Sequence, residues 1–278
     1  MQHYMQPLIQ NTICIGLAER TDRREHAKAE FDRVGIDEFI WVDAFGTNSD
    51  KVRDAYESGV VAGCPPCFRC GQNKCECENK RLIETQVGAW LSHFEAWSHV
   101  AQRGLSLICE DDIQFTERAT EGFDWLNQQP DLLRAVELQQ PTLLRLGKAL
   151  TQDHISNEDF QLTTDITMSN PCYALNSAMA QLLLESGRTV TTTVDIYTHR
   201  LMNMPCSHHT LFPPIAYEHS WSTGQLRSDI RPKEVYISRL ERQLAQLESY
   251  SDEYKAIVLA IEDERKRFRK FERDQRFD

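Results

Sequence analysis

Short apolar runs at strand spacing alternate along the chain with longer sets of apolar residues at helix spacing. That alternation predicts an α/β domain. Residues 12–17 form a first apolar strand, followed by the polar turn Ala18-Glu19-Arg20-Thr21. Asp22, with Glu25 three residues on, has the form of a helix cap, and Ala27, Phe31 and Val34 give the helix an apolar face that Gly35 ends. A second strand at 39–42 runs into Asp43-Ala44-Phe45-Gly46, and residues 47–82 then show no periodicity. From Glu84 the residues Val87, Trp90, Leu91, Phe94, Trp97 and Ala101 predict a strongly amphipathic helix that stops at Gly104. An apolar strand at 105–109 follows and ends abruptly in Glu110-Asp111-Asp112, before Ile113-Gln114-Phe115 resumes the alternation. Beyond it come a helix over about 117–127, a strand at 142–146, a polar stretch around 153–159 and a strand at 171–175. Asn176 or Ser177 caps a last helix, closed by Gly187. Strands and helices of these lengths predict a predominantly parallel sheet covered on both faces. Such sheets bind ligands at the carboxyl ends of their strands, which is where the acids fall.

The character changes at residue 233. Ile237, Leu240, Leu244, Leu247, Tyr254, Val258, Ile261 and Phe268 follow alternating steps of three and four among Glu, Arg and Lys, the spacing of a helical seam. Ser251 and Arg265 interrupt it, and residues 249–252 can break the helix in two. The chain therefore divides into a main domain over 1–232 and a helical extension over 233–278. The extension is either a hairpin folding back on the domain or a coiled coil joining two chains into a homo-oligomer.

Composition narrows the function. The 278 residues are 41% hydrophobic, enough for a sizeable core, and 26% charged with a net charge of −11. That balance argues against nonspecific nucleic-acid binding, which needs a basic face. No stretch reaches the roughly 20 apolar residues of a transmembrane helix, and residues 1–10 lack the basic flank and apolar core of a secretion signal. A cytoplasmic protein is expected. Of nine cysteines, Cys14, Cys109 and Cys172 lie in apolar strands, where cysteine acts as a small buried hydrophobe, and Cys206 stands apart. The other five, Cys64, Cys67, Cys70, Cys75 and Cys77, fall within fourteen residues, in an insertion at about 63–80. Thiolates so spaced suit a structural Zn²⁺ site, and Cys64, Cys67, Cys75 and Cys77 are the favoured ligands with Cys70 as the alternate. The triple Cys-x2-Cys-x2-Cys also has the form of an iron–sulfur run, and free or disulfide-linked cysteines remain a further reading.

Three carboxylates at the end of a buried strand repel one another unless something offsets their charge. The usual offset is a hard divalent cation, often shared with substrate phosphates, and the plain alternative is an acidic turn with no ligand.

Several blocks together resemble the family 25 glycosyltransferases, which include bacterial lipooligosaccharide galactosyltransferases and animal collagen galactosyltransferases. The residues that carry the resemblance are the segment Cys14-Ile15-Gly16-Leu17-Ala18-Glu19-Arg20-Thr21-Asp22-Arg23-Arg24, then Trp41 to Gly46, then Gln86 to His93. Ile108 to Ile113, Leu144-Arg145-Leu146-Gly147, Tyr173-Ala174-Leu175-Asn176 and Thr193-Val194-Asp195 follow in the family's order. The resemblance covers roughly residues 10–230. One departure stands out: Gly16 replaces the family's usual Asn, so any contact of that side chain is missing.

The resemblance implies a GT-A-like nucleotide-diphospho-sugar transferase fold that moves a hexose from a UDP-sugar donor to a glycan or glycoconjugate acceptor. Transfer would use Mn²⁺ or Mg²⁺ and invert the anomeric carbon, with galactose expected first and glucose next. It also allows a place peripheral to the inner membrane. A divalent cation bridging carboxylates to the diphosphate would stabilise the charge that builds up as the glycosidic bond breaks. Asp112 is expected as the direct metal ligand, Glu110 as a ligand through water or a ribose contact, and Asp111 as a brace of the loop. Leu17, Arg20 and Arg23 are expected on the donor side, where guanidinium forks meet diphosphate or uracil; surface pairing of Arg23 or Arg24 with Asp22 or Glu25 is the competing role. An inverting transfer needs a base for the acceptor hydroxyl, and Asp195 is the candidate, with capping of the helix at Ile196 as its competing role. His219 stands where GT-A enzymes often supply a late metal ligand. His93, mid-helix, is expected to pack or position. The alternative function is a catalytically inactive transferase-like scaffold that binds partners through the zinc knot and the helical tail.

Overall fold

The computed structural model describes residues 9, 11–61, 82–148, 158–165, 169–200, 204–222 and 258–259. The chain forms two compact units, 1–218 and 219–278, so the division falls earlier than the change of pattern at 233. The cysteine-rich insertion with Cys64, Cys67, Cys70, Cys75 and Cys77 lies outside the described residues, as does the predicted helical seam apart from the helical residues Val258 and Leu259.

The first unit opens with strand β1 (Asn11–Gly16), helix α1 (Thr21–Val34), β2 (Ile40–Asp43) and α2 (Asp50–Glu57). Then come α3 (Glu84–Val100), β3 (Ser106–Glu110), β4 (Ile113–Phe115), α4 (Ala119–Leu126), α5 (Pro130–Glu137), β5 (Thr142–Arg145) and β6 (Gly147–Lys148). It continues with β7 (Gln161–Thr163), β8 (Cys172–Leu175), α6 (Ser177–Ser186), α7 (Val194–Arg200), β9 (Ser207–Phe212) and β10 (Ala216–Glu218). The short α8 (His219–Ser222) opens the second unit.

Seven strands build the main sheet in the order β2-β1-β3-β8-β5-β9-β7. The pairs β1–β2, β1–β3 and β5–β9 are parallel, whereas β8 runs against both β3 and β5, and β7 runs against β9. Strands β2, β1, β3, β5 and β9 thus share one direction, as the alternation of elements predicts, and β8 and β7 oppose it. A small second sheet, β4-β10-β6, stands beside the carboxyl end of β3.

Alternation along the strands divides the core in two. Ile13, Ile108, Tyr173 and Leu143 face α3 and α6 with Trp90, Trp97 and Leu183, while Cys14, Leu107, Cys109, Cys172 and Leu144 face α1, α4 and α5 with Phe31, Leu126 and Leu132. Cys14, Cys109 and Cys172 sit side by side across three strands and are fully buried, as expected of small apolar side chains, with the last two sulfurs 3.7 Å apart.

Two local expectations need correction. Asp22 makes no cap: α1 starts at Thr21 after Arg20, without a side-chain cap bond, and Asp22 pairs with Arg20 instead. Residues 50–57, which show no periodicity, are helical all the same. The two apolar side chains that α2 buries, Val52 and Ala55, suffice because they seat against the core beneath α3. At the other end of the domain, the Asn176 side chain does cap α6, accepting from the Met179 amide at 3.0 Å.

Polar clamps fix the turn after β3. Glu30 of α1 accepts from the Phe115 amide at 2.8 Å, Arg33 donates to the Phe115 carbonyl at 2.7 Å, and His26 bonds the Ile113 carbonyl at 2.7 Å. On the other face, Ser92 of α3 accepts from the Phe45 amide at 2.9 Å. That approach needs a glycine one turn earlier, because a Cβ on Gly88 would run into the Phe45 carbonyl oxygen. Gly88→Ala is expected to lose about 1–3 kcal/mol of stability through overpacking, measured by urea denaturation.

Candidate functional site

β3 carries Glu110 to its carboxyl end, and the chain turns sharply through Asp111 and Asp112 before β4 begins. The turn ends the strand alternation, so the adjacent residues Asp111 and Asp112 face the same partner. Arg23, in the first turn of α1, donates to Asp111 at 2.6 Å and to Asp112 at 3.3 Å. All three side chains are buried, with exposures of 9%, 4% and 2%. A pair this dry is much stronger than a surface pair, and it exists because unpaired carboxylates here would be very costly.

Gly16, at the end of β1, gains a structural reason. A Cβ there would lie 2.8 Å from both Asp111 Cβ and Oδ2. The residue does more than omit a contact: its bareness is the space that the Asp111 side chain occupies.

Glu110 has a different neighbourhood. His93 of α3 bonds it at 3.2 Å through Nε2 and bonds the Tyr173 hydroxyl at 2.8 Å through Nδ1; Trp97 Nε1 donates to the same hydroxyl at 2.9 Å. The indole can only donate, so the Tyr173 hydroxyl accepts from Trp97, and the two ring nitrogens of His93 link that hydroxyl to Glu110. Burial holds His93 down to about 4, which keeps the ring neutral in this relay. His93 therefore positions Glu110, a role of the kind its mid-helix place suggests.

The most informative addition is Glu218. β10 pairs with β4 so that Glu218 lies opposite Ile113, the residue after Asp112, and Ser169 donates to it at 2.8 Å. Burial pushes its carboxyl up to about 8, and Asp112 and Glu110 add to the rise. Burial also raises Glu110 well above the usual carboxylate range, with Asp112 and Asp111 contributing. Asp111 reaches only about 6, because Arg23 offsets much of the burial. Sequence reasoning passed over Glu218 because β10 has three residues and no readable period; the one available signal was an acid closing the apolar run Ile215-Ala216.

The other candidate residues take defined places. Asp195 is the second residue of α7, not a cap; Thr193 donates to its Oδ1 at 2.5 Å, and its charge reaches Glu110 and His93. Leu17 supplies its carbonyl to the Arg20 amide and the Arg24 guanidinium. Arg20 forms a two-pronged pair with Asp22 at 2.8 and 2.9 Å. Arg24 pairs with Asp43 and lies 4.6 Å over the Trp41 ring. The structure thus gathers Glu110, Asp111, Asp112, Arg23 and Asp195, and adds Glu218. His219 is buried at the start of α8, in the second unit.

Among the described residues, no three His, Cys, Asp or Glu side chains converge closely enough to hold a metal ion. One oxygen of Asp111 and one of Asp112 face Arg23. In chemistry the donors do suit Mg²⁺ or Mn²⁺: they are hard carboxylate oxygens, and burial, with mutual repulsion added, raises Glu110 and Glu218.

The family described as Glycosyltransferase family 25 (LPS biosynthesis protein) has a sequence model that matches residues 9–198, more than half of the chain. A search of curated proteins found no match. Among the described residues no helix is long and apolar enough to cross a membrane.

The raised carboxyls make stability depend on pH in a definite direction. A carboxyl whose folded pKa exceeds its unfolded value takes up a proton on folding, so stability is full below about 4.5 and falls as pH rises toward about 8. Urea denaturation in chelator should show this decline. Glu218→Gln should flatten it and stabilise the protein at pH 8 by about 1–3 kcal/mol; an unchanged slope would refute the assignment.

Proposed function

The chain belongs to glycosyltransferase family 25, and on that premise we propose that it transfers a hexose, galactose first and glucose next, from a UDP-sugar to a hydroxyl of a glycan or glycoconjugate, with inversion and with a divalent cation. The glycosyltransferase activity and its place in LPS biosynthesis come with the family. The observation that supports the finer reading is the gathering of Glu110, Asp111, Asp112, Asp195 and Glu218 at the carboxyl end of a mostly parallel sheet.

In this reading Asp112 and Glu110 would hold Mn²⁺ or Mg²⁺, and the ion would supply positive charge for the departing diphosphate. The protein's own groups do the rest. Arg23 balances Asp111 and Asp112 while the acids are otherwise uncompensated, and a cation at Asp112 competes with it for the same carboxylate. Neutral His93 orients Glu110. Arg20, at the turn that follows β1, meets the donor diphosphate once its exposed pairing with Asp22 yields, a pairing worth little in water. Asp195 takes the proton of the acceptor hydroxyl. The inactive-scaffold reading draws on one observation, that Arg23 already satisfies two of the acids. The cysteine-rich insertion, in the same proposal, holds one structural Zn²⁺ through Cys64, Cys67, Cys75 and Cys77.

UDP release from UDP-galactose and UDP-glucose with Mn²⁺ should be abolished by chelator. Asp112→Asn should reduce it by about 10²-fold or more without loss of cooperative unfolding. No release from either sugar, together with no UDP binding by calorimetry, would support the scaffold. Elemental analysis of protein purified without added metal should give about one zinc per chain; iron in its place would overturn the zinc assignment.

A further inference from the structure

Arg145 is a charged side chain in a place that normally excludes one. It ends β5, is 1% exposed, and stands directly opposite Tyr173 of β8, so it lies on the sheet face that carries the His93–Tyr173–Glu110 relay. Its side chain donates from Nη2 to the Thr198 carbonyl at 3.2 Å, and among the described residues its Nε and Nη1 are buried without a hydrogen-bond partner. Among the described residues the titratable groups that bear on it are Cys206 and His208, and neither is a carboxylate. Burial pushes the guanidinium down to about 10. A buried Arg without a counter-charge does little for folding, and replacing such charges by apolar side chains is often neutral or stabilising.

The partner that Arg145 does have points to a use. Thr198 lies in the last turn of α7, where carbonyls lack intrahelical donors and carry partial negative charge. Thr198 is gripped twice more: Asn170 donates to its hydroxyl oxygen at 2.7 Å, and that hydroxyl donates to the Asp195 carbonyl at 2.8 Å. Asp195 lies in the first turn of the same seven-residue helix. A helix so short has little stability of its own, so its place depends on tertiary anchors.

We propose that Arg145 is a positioning residue: it anchors the carboxyl end of α7 through the Thr198 carbonyl and thereby fixes Asp195 in the same helix. The inference rests on the reading of Asp195 as the base that receives the acceptor proton. It gives a role to a residue that touches none of the acids.

The test uses the full chain and three readouts: hydrogen–deuterium exchange of residues 194–200, thermal unfolding, and UDP release from UDP-galactose with Mn²⁺. Arg145→Met should unfold cooperatively at an unchanged or higher Tm, yet lose about tenfold or more of the exchange protection in α7 while β3 and β8 keep theirs. Its kcat should fall about ten- to a hundredfold with KM for UDP-galactose unchanged, and Arg145→Lys should recover part of the loss. In an Asp195→Asn background the same substitution should cost nothing further. Unchanged α7 protection would overturn the proposal, as would a lowered Tm with protection lost throughout the sheet, the mark of a merely structural residue. Full activity in Asp195→Asn would overturn the base assignment alone. In that case, or if UDP-galactose is not turned over, α7 exchange decides by itself whether Arg145 anchors the helix.

Discussion

Everything around the site is arranged by one electrostatic constraint, the repulsion among carboxylates at the end of β3 and the guanidinium that offsets part of it. Arg23 can bridge Asp111 and Asp112 only if the first turn of α1 lies against the turn after β3, and the bonds from Glu30, Arg33 and His26 to β4 hold it there. The bridge also needs room, which Gly16 provides by having no side chain. Remove any of these and the acids lose the geometry that makes them tolerable in a dry place.

The same constraint sorts the acids by character. Asp111, bonded to Arg23, rises only to about 6, whereas Glu218 rises to about 8, and burial raises Glu110 well above the usual carboxylate range. Neutral His93 can orient Glu110 but cannot discharge it. The cluster therefore holds more acids than Arg23 can balance, and the proposed divalent cation rests on that excess.

Much of the frame is legible in the sequence, because strands, helix stops and caps are local properties. The runs at β1, β3, β5 and β8, the Gly35 and Gly187 stops and the Asn176 cap all follow from spacing and residue type. So does the placing of the acids at a strand's carboxyl end. The misses have physical causes. α2 buries two side chains and shows no period, β10 is too short to have one, and Asp22 prefers a guanidinium two residues away to a helix amide.

The longer strands and helices, their α/β alternation, the family resemblance and the acidic strand end can be read from the sequence alone, since they depend on neighbours a few residues apart. Only the tertiary structure decided the partners. Arg23 meets Asp111 across 88 residues, Arg145 meets Thr198 across 53, and Ser169 meets Glu218 across 49. Nothing in local hydropathy encodes which buried charge will face which. Burial removes water as the default partner, so the sheet order, by choosing the nearest polar group, sets the charge of the site.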